Sequence, residues 1–151
     1  MSRLSFRYLI PESIFNDLLK DVVELAPHIV QGWIYADRKE NFALVTGYSI
    51  LQGKSKHTEH VQPKSWMRLK KNKIYSMRKL KAEKNVDIVW SFHSHPDGEE
   101  ALHEIDLKIL NYLSTGVMII VTPTNVVGWY FDKRETKKPL IEKMVFEIIS
   151  D

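Results

Sequence analysis

The chain has 151 residues, which is enough for one domain with a hydrophobic core and gives no sign of two. It contains no cysteine, so disulfides, thiolate metal ligands and a cysteine nucleophile are excluded. No apolar run approaches the roughly 20 residues needed to cross a bilayer, and the first eight residues lack the core of a signal peptide. We therefore predict a cytoplasmic protein that does not enter a membrane.

The positive charge of the chain is concentrated in one stretch. The formal net charge is +3, but residues 64–84 carry nine Lys and Arg against one Glu, which gives +8 there and −5 elsewhere. Such a stretch attracts phosphate without sequence preference, and it can equally steer an acidic protein partner. Its aromatic residues, Trp66 and Tyr75, have a helical spacing typical of core positions, so nucleic-acid binding is not predicted as the main role.

Hydrophobic periodicity predicts the order of the elements, with period two marking strands and spacings of three and four marking helices. The first half reads as a strand over 4–10, a helix from Pro11 that ends before Pro27, a hairpin of 29–36 and 42–51, an edge strand over 57–62 and a basic helix over 64–84. The second half reads as a buried strand over 86–92, a helix over 102–113, strands over 117–122 and 126–131, and a final strand or helix over 140–149. This order predicts an α/β fold, a mixed sheet with helices packed on its faces.

The chemistry-bearing stretch follows the buried strand over 86–92. His93 and His95 are two apart and therefore project to the same side of a strand. Pro96 and the Asp97-Gly98 turn end that strand. Asp106 falls in the first turn of the next helix, from which its carboxylate can reach back over the strand end.

Two nitrogens and one oxygen with an open fourth position form the ligand set of a catalytic zinc site. The sequence thus predicts that His93, His95 and Asp106 bind a metal. The alternative is a pair of surface imidazoles, which is the commoner fate of an isolated His-x-His on a strand. The proline, the turn and the spaced aspartate favour the metal.

This stretch, with Asp106 eleven positions after His95, resembles the His-x-His-Pro…Asp motif of the JAB/MPN/JAMM metalloprotease family. The order of elements is also similar, over essentially the whole chain. The resemblance implies a single JAB/MPN-type domain over 1–151, a curved mixed β-sheet flanked by helices and related to the cytidine deaminase core. It also implies one Zn²⁺ per chain, held by His93, His95 and Asp106, that polarises a scissile carbonyl and lowers the pKa of its water to about 7.

The chain departs from the family pattern at two positions that matter for catalysis. The motif usually has Ser three residues before the aspartate, where this chain has His103. That imidazole is a candidate oxyanion donor or an extra metal ligand, and the alternative is a solvated histidine. The family's general base is a Glu in a Pro-x-Glu-x-x-Gly setting, and the matching residue here is Ile29, which cannot accept a proton. Glu24, near the end of the first predicted helix, is a weak candidate for a relocated base, and the alternative is an ordinary exposed carboxylate.

These observations leave two main predictions of function. The first is a zinc isopeptidase or peptidase that cuts at the C-terminus of a ubiquitin-like protein. The second is a catalytically impaired MPN-type module that binds metal, a protein partner or both without cleavage, as the loss of the usual glutamate suggests.

Overall fold

The computed structural model describes residues 6–51, 78–110, 115–134 and 140–151. Besides the elements named next, residues 78–84 are helical. The strands are β1 (Arg7–Pro11), β2 (Gln31–Arg38), β3 (Phe42–Leu51), β4 (Ile88–Ser94), β5 (Thr115–Val121), β6 (Val126–Asp132) and β7 (Leu140–Ile149), and the helices are α1 (Glu12–Leu25) and α2 (Glu104–Leu110). The predicted edge strand over 57–62 and most of the predicted basic helix over 64–84 lie outside the described residues.

The seven strands close into a barrel in the order β1-β3-β2-β4-β5-β6-β7. Strand β1 completes the ring, because it pairs in parallel with β3 on one side and with β7 on the other. The predicted α/β fold, a curved mixed sheet flanked by helices, was therefore wrong. The period of the strands predicts where they lie in the chain, but it carries no information on whether the first and last strands meet.

The structure confirms the predicted hairpin and decides a segment that the sequence left open. Strands β2 and β3 form the expected antiparallel hairpin, with a register shift after Tyr35. The last segment, left open as strand or helix, is the strand β7, which pairs antiparallel with β6. No helix in the described part of the chain is both long enough and apolar enough to span a membrane.

The buried residues form one large hydrophobic cluster and two smaller ones, and on β2, β4, β5 and β6 alternate residues belong to different clusters. One cluster takes residues from all seven strands and from α1, among them Leu18, Ile34, Phe92 and Ile119. Residues of the opposite parity pack outside the barrel, where Met118 and Phe131 meet Ile109 and Leu110 of α2 and Trp33 and Val89 meet Leu80. His93 has the parity of Val89, so its side chain is on the outer face, the same face that carries α2.

Candidate metal centre

The end of β4 is held on both sides by backbone hydrogen bonds. The Ser94 N–H donates to the Val30 carbonyl at 2.8 Å, and the His95 N–H donates to the Val121 carbonyl at 2.9 Å. The fully buried Ser94 hydroxyl also accepts the Val30 N–H at 2.7 Å. These bonds fix the direction in which the two flanking histidines leave the strand.

The three predicted ligands meet at one point. The Nε2 atoms of His93 and His95 are 3.2 Å apart, and each is 3.0 Å from one carboxylate oxygen of Asp106. His95 and Asp106 are completely buried, and the His93 side chain is 13% exposed. Among the described residues, this is a group whose ligand atoms are close enough to hold a metal ion.

The other ring nitrogen of His95 defines what its Nε2 can do. Nδ1 lies 2.8 Å from the Glu99 carbonyl oxygen, which can only accept, so Nδ1 carries a proton. In a neutral ring Nε2 is then unprotonated, and its lone pair faces the acceptor oxygen of Asp106. Such an arrangement needs a second proton or a cation between the two groups.

The electrostatics of these side chains show the same demand for positive charge. Burial acts to lower the pKa of His95, but the hydrogen bonds to Asp106 and Glu99 outweigh it and raise that pKa. Burial acts to raise the pKa of Asp106, but the hydrogen bonds from His93 and His95 hold it far below its usual range. The carboxylate is therefore ionised at neutral pH, and it attracts a cation.

Asp106 is oriented by the start of its own helix. It is the third residue of α2, and its Oδ2 accepts the backbone N–H of His103, the residue before the helix, at 2.9 Å. A side chain at this position that reaches back to the capping residue satisfies an N–H that the helix leaves without an intrahelical partner. The same bond turns the carboxylate toward the end of β4.

His103 packs beside the three ligands. Its ring stacks on that of His95, with centroids 3.8 Å apart and planes 4° apart. Its Nε2 lies 3.1 Å from the Asp97 carboxylate. His95, Asp97 and His103 make up a second group of potential ligand atoms, which shares His95 with the first.

The candidate for a relocated base, Glu24, and the residue at the family's base position, Ile29, both lie outside these groups. Glu24 is exposed in the last turn of α1, and the ligand groups found among the described residues do not include it. Ile29 lies just before β2, whose first residue, Gln31, is the register partner of His93. Ile29 is thus part of the segment next to the site, and its side chain is apolar where the JAMM motif has a carboxylate.

Two groups at the site were not predicted from the sequence. The Glu99 carbonyl carries no signal, because any residue offers a backbone oxygen. Ser94 sits between the two histidines, and its hydroxyl could have been assigned only by knowing that Val30 lies opposite. Asp97 is predicted as a turn residue and accepts the Glu99 N–H at 2.9 Å, as such a residue does, but it also contacts His103.

Comparisons with known proteins bear on the fold. No family model matches the chain, and no curated protein sequence matches it. Among solved structures, the chain is similar to the solution structure of protein DSY2949 from Desulfitobacterium hafniense, with a TM-score of 0.65 and 14% identity over 95% of this chain and 94% of that one. At this identity the likeness shows the fold alone, and it extends over nearly the whole length of both chains.

Proposed function

We propose that the protein is a zinc-dependent metallopeptidase that hydrolyses a peptide or isopeptide bond at the C-terminus of a ubiquitin-like protein. The observation that carries the proposal is the convergence of His93 Nε2, His95 Nε2 and the Asp106 carboxylate within 3.0–3.2 Å. The second support is the His-x-His-Pro…Asp pattern, which resembles that of the JAMM metalloproteases.

The donor atoms fit a first-row divalent ion. Metal–ligand bonds of about 2.0–2.1 Å place neighbouring donors about 3.3 Å apart in a tetrahedron and about 2.9 Å apart in an octahedron. The observed separations lie between these values, so they fit a metal without selecting one. Two imidazoles and a carboxylate also bind Fe²⁺. Zinc is proposed because the sequence pattern around His95 is that of zinc enzymes.

The residues divide into ligands and the groups that orient them. His93, His95 and Asp106 would hold the ion, which when bound supplies Lewis acidity toward a carbonyl and activates water. The Glu99 carbonyl fixes the His95 tautomer, and the His103 N–H fixes the Asp106 carboxylate, as partners of metal ligands usually do. The His103 ring lies against His95, and we retain it as a candidate oxyanion donor.

A second candidate function is the catalytically impaired module. The observation that favours it is Ile29, which stands where the family pattern has its proton acceptor. The enzyme turns its protein substrate over, whereas the module binds metal, a protein partner or both without cleavage.

One experiment separates them. The purified zinc-loaded protein is incubated with a ubiquitin-like protein fused through its C-terminal Gly-Gly to a reporter, with and without a chelator. The enzyme predicts cleavage that the chelator stops, and the module predicts binding without cleavage. Glu24→Gln, with Glu12→Gln at the other end of α1 as its matched control, tests the relocated base. If Glu24→Gln leaves a chelator-sensitive activity unchanged, Glu24 is not the base.

A further inference from the structure

The loop that links β4 to α2 is hydrogen-bonded to side chains of β6, of β7 and of the turn before β6. The indole N–H of Trp129, on β6, donates to the backbone carbonyl of Glu100 at 2.9 Å. The Glu100 carboxylate accepts from Lys143 Nζ, on β7, at 3.0 Å and from Asn125 Nδ2 at 3.2 Å. Three donors from separate positions thus converge on one loop residue.

The strand register explains why these donors converge. Trp129 and Lys143 are direct cross-strand partners in the β6–β7 pair, so their side chains emerge together on one face. Met118 is the partner of Trp129 on β5, and it packs against Ile109 of α2 on the outer face. The hydrogen bonds of Trp129 and Lys143 to Glu100 therefore lie on the face that carries the metal centre.

The tied residue is next to the one that contacts a ligand. The carbonyl of Glu99 accepts the Nδ1–H of His95, and the carbonyl of the following residue, Glu100, accepts the indole N–H of Trp129. Two successive peptide groups of the loop are thereby oriented, one toward β6 and the other toward the site. Only the two soft dihedral angles of Glu100 separate these peptide groups, so fixing the second limits the positions open to the first.

We propose that Trp129 and Glu100 are positioning residues for the metal centre, which hold the Glu99 carbonyl against His95 and so keep its Nε2 directed at Asp106. The inference rests on the proposed metal binding and extends the site to two strands that contribute no ligand. Partners of metal ligands typically change metal affinity by about 10–100-fold. Trp129 bonds to Glu100 and not to a ligand or to its direct partner, Glu99, so we expect a change in zinc affinity at the lower end of that range.

The test is the zinc affinity of Trp129→Phe, measured by competition with a chromophoric chelator. This change removes the N–H and keeps an aromatic ring, and we expect about tenfold weaker zinc binding. The absorption spectrum of the Co²⁺-substituted variant should also shift, because the orientation of His95 at the ion changes. The matched control is Tyr130→Phe on the same strand, which removes a hydroxyl that donates to Asp132 and should leave both readouts unchanged.

A second pair of variants makes the test of the proposal independent of Trp129→Phe. Glu100→Gln weakens the bond to Lys143 and should also lower zinc affinity, whereas Glu147→Gln, which weakens an exposed pair with Arg7, should not. Should Trp129→Phe not fold, Glu100→Gln decides. Wild-type affinity in folded Trp129→Phe and Glu100→Gln, even with a lowered melting temperature, overturns the positioning role and leaves the metal centre intact. Failure of the wild-type protein to bind zinc overturns both.

Discussion

The rings of His95 and His103 lie face to face, 3.8 Å apart and within 4° of parallel. The Nε2 of His95 faces Asp106, while that of His103 faces Asp97. Two stacked imidazoles therefore direct their nitrogens at two different carboxylates. His95 thus belongs to the predicted ligand group, and the ring of His103 packs against it.

We predict that His103→Ala retains zinc at one ion per chain, with less than about tenfold loss of affinity. The reason is that the His103 Nε2 is directed at Asp97 and its ring covers His95 rather than completing the ligand group. Loss of the stack should lower the free energy of unfolding by about 1 kcal/mol. Metal analysis and chemical denaturation measure the two effects. A variant that no longer retains zinc would show that His103 is a fourth ligand.

Zinc affinity should fall as the pH is lowered from about 8 to about 5.5. A proton and a metal ion compete for the Nε2 of His95, and its pKa in the metal-free protein is raised above the ordinary 6.5. Competition therefore starts at a higher pH than for a free histidine, and each displaced proton contributes about tenfold per pH unit below the pKa. Chelator competition at several pH values checks this. A constant affinity across the range would argue against imidazole ligands.

Gly32→Ala should destabilise the barrel by about 3 kcal/mol, at the upper end of the cost of overpacking. A methyl group at this position would lie 2.1 Å from the Ser49 carbonyl oxygen and 2.5 Å from the Phe92 ring. The backbone oxygen cannot move without disturbing the β2–β3 pair. Gly47→Ala is the control, because its methyl group meets nothing closer than a Tyr35 ring atom at 3.9 Å. Urea denaturation of both should show a large loss for Gly32→Ala alone, and equal losses would refute the packing argument.

The metal-ligand group shows what a sequence can predict about a site. His93 and His95 have period-two spacing, and Asp106 lies in a first helical turn. These two features predict that the three side chains are close together, and they are close together in the structure. These are local features, because β4, the turn and α2 follow each other in the chain. What the site does with a metal stays a prediction.

The closure of the barrel could not be predicted in the same way. Tyr8 and Phe146 are register partners although they are 138 positions apart, and nothing in the alternation of either strand identifies the other. The hydrogen bond from Trp129 to Glu100 could not be predicted for a related reason, because its acceptor is a backbone carbonyl, which any residue would provide. Local periodicity identifies elements, whereas long-range pairing depends on which of several apolar faces meet.

The metal content of the purified protein is the most direct test of the account. We expect about one zinc per chain for the wild-type protein and none for His95→Ala, whose ring is held by the Glu99 carbonyl and directed at Asp106. Tyr130→Phe serves as a folded control that retains the metal. A wild-type protein that contains no zinc, or a His95→Ala variant that retains it, would contradict the proposed centre.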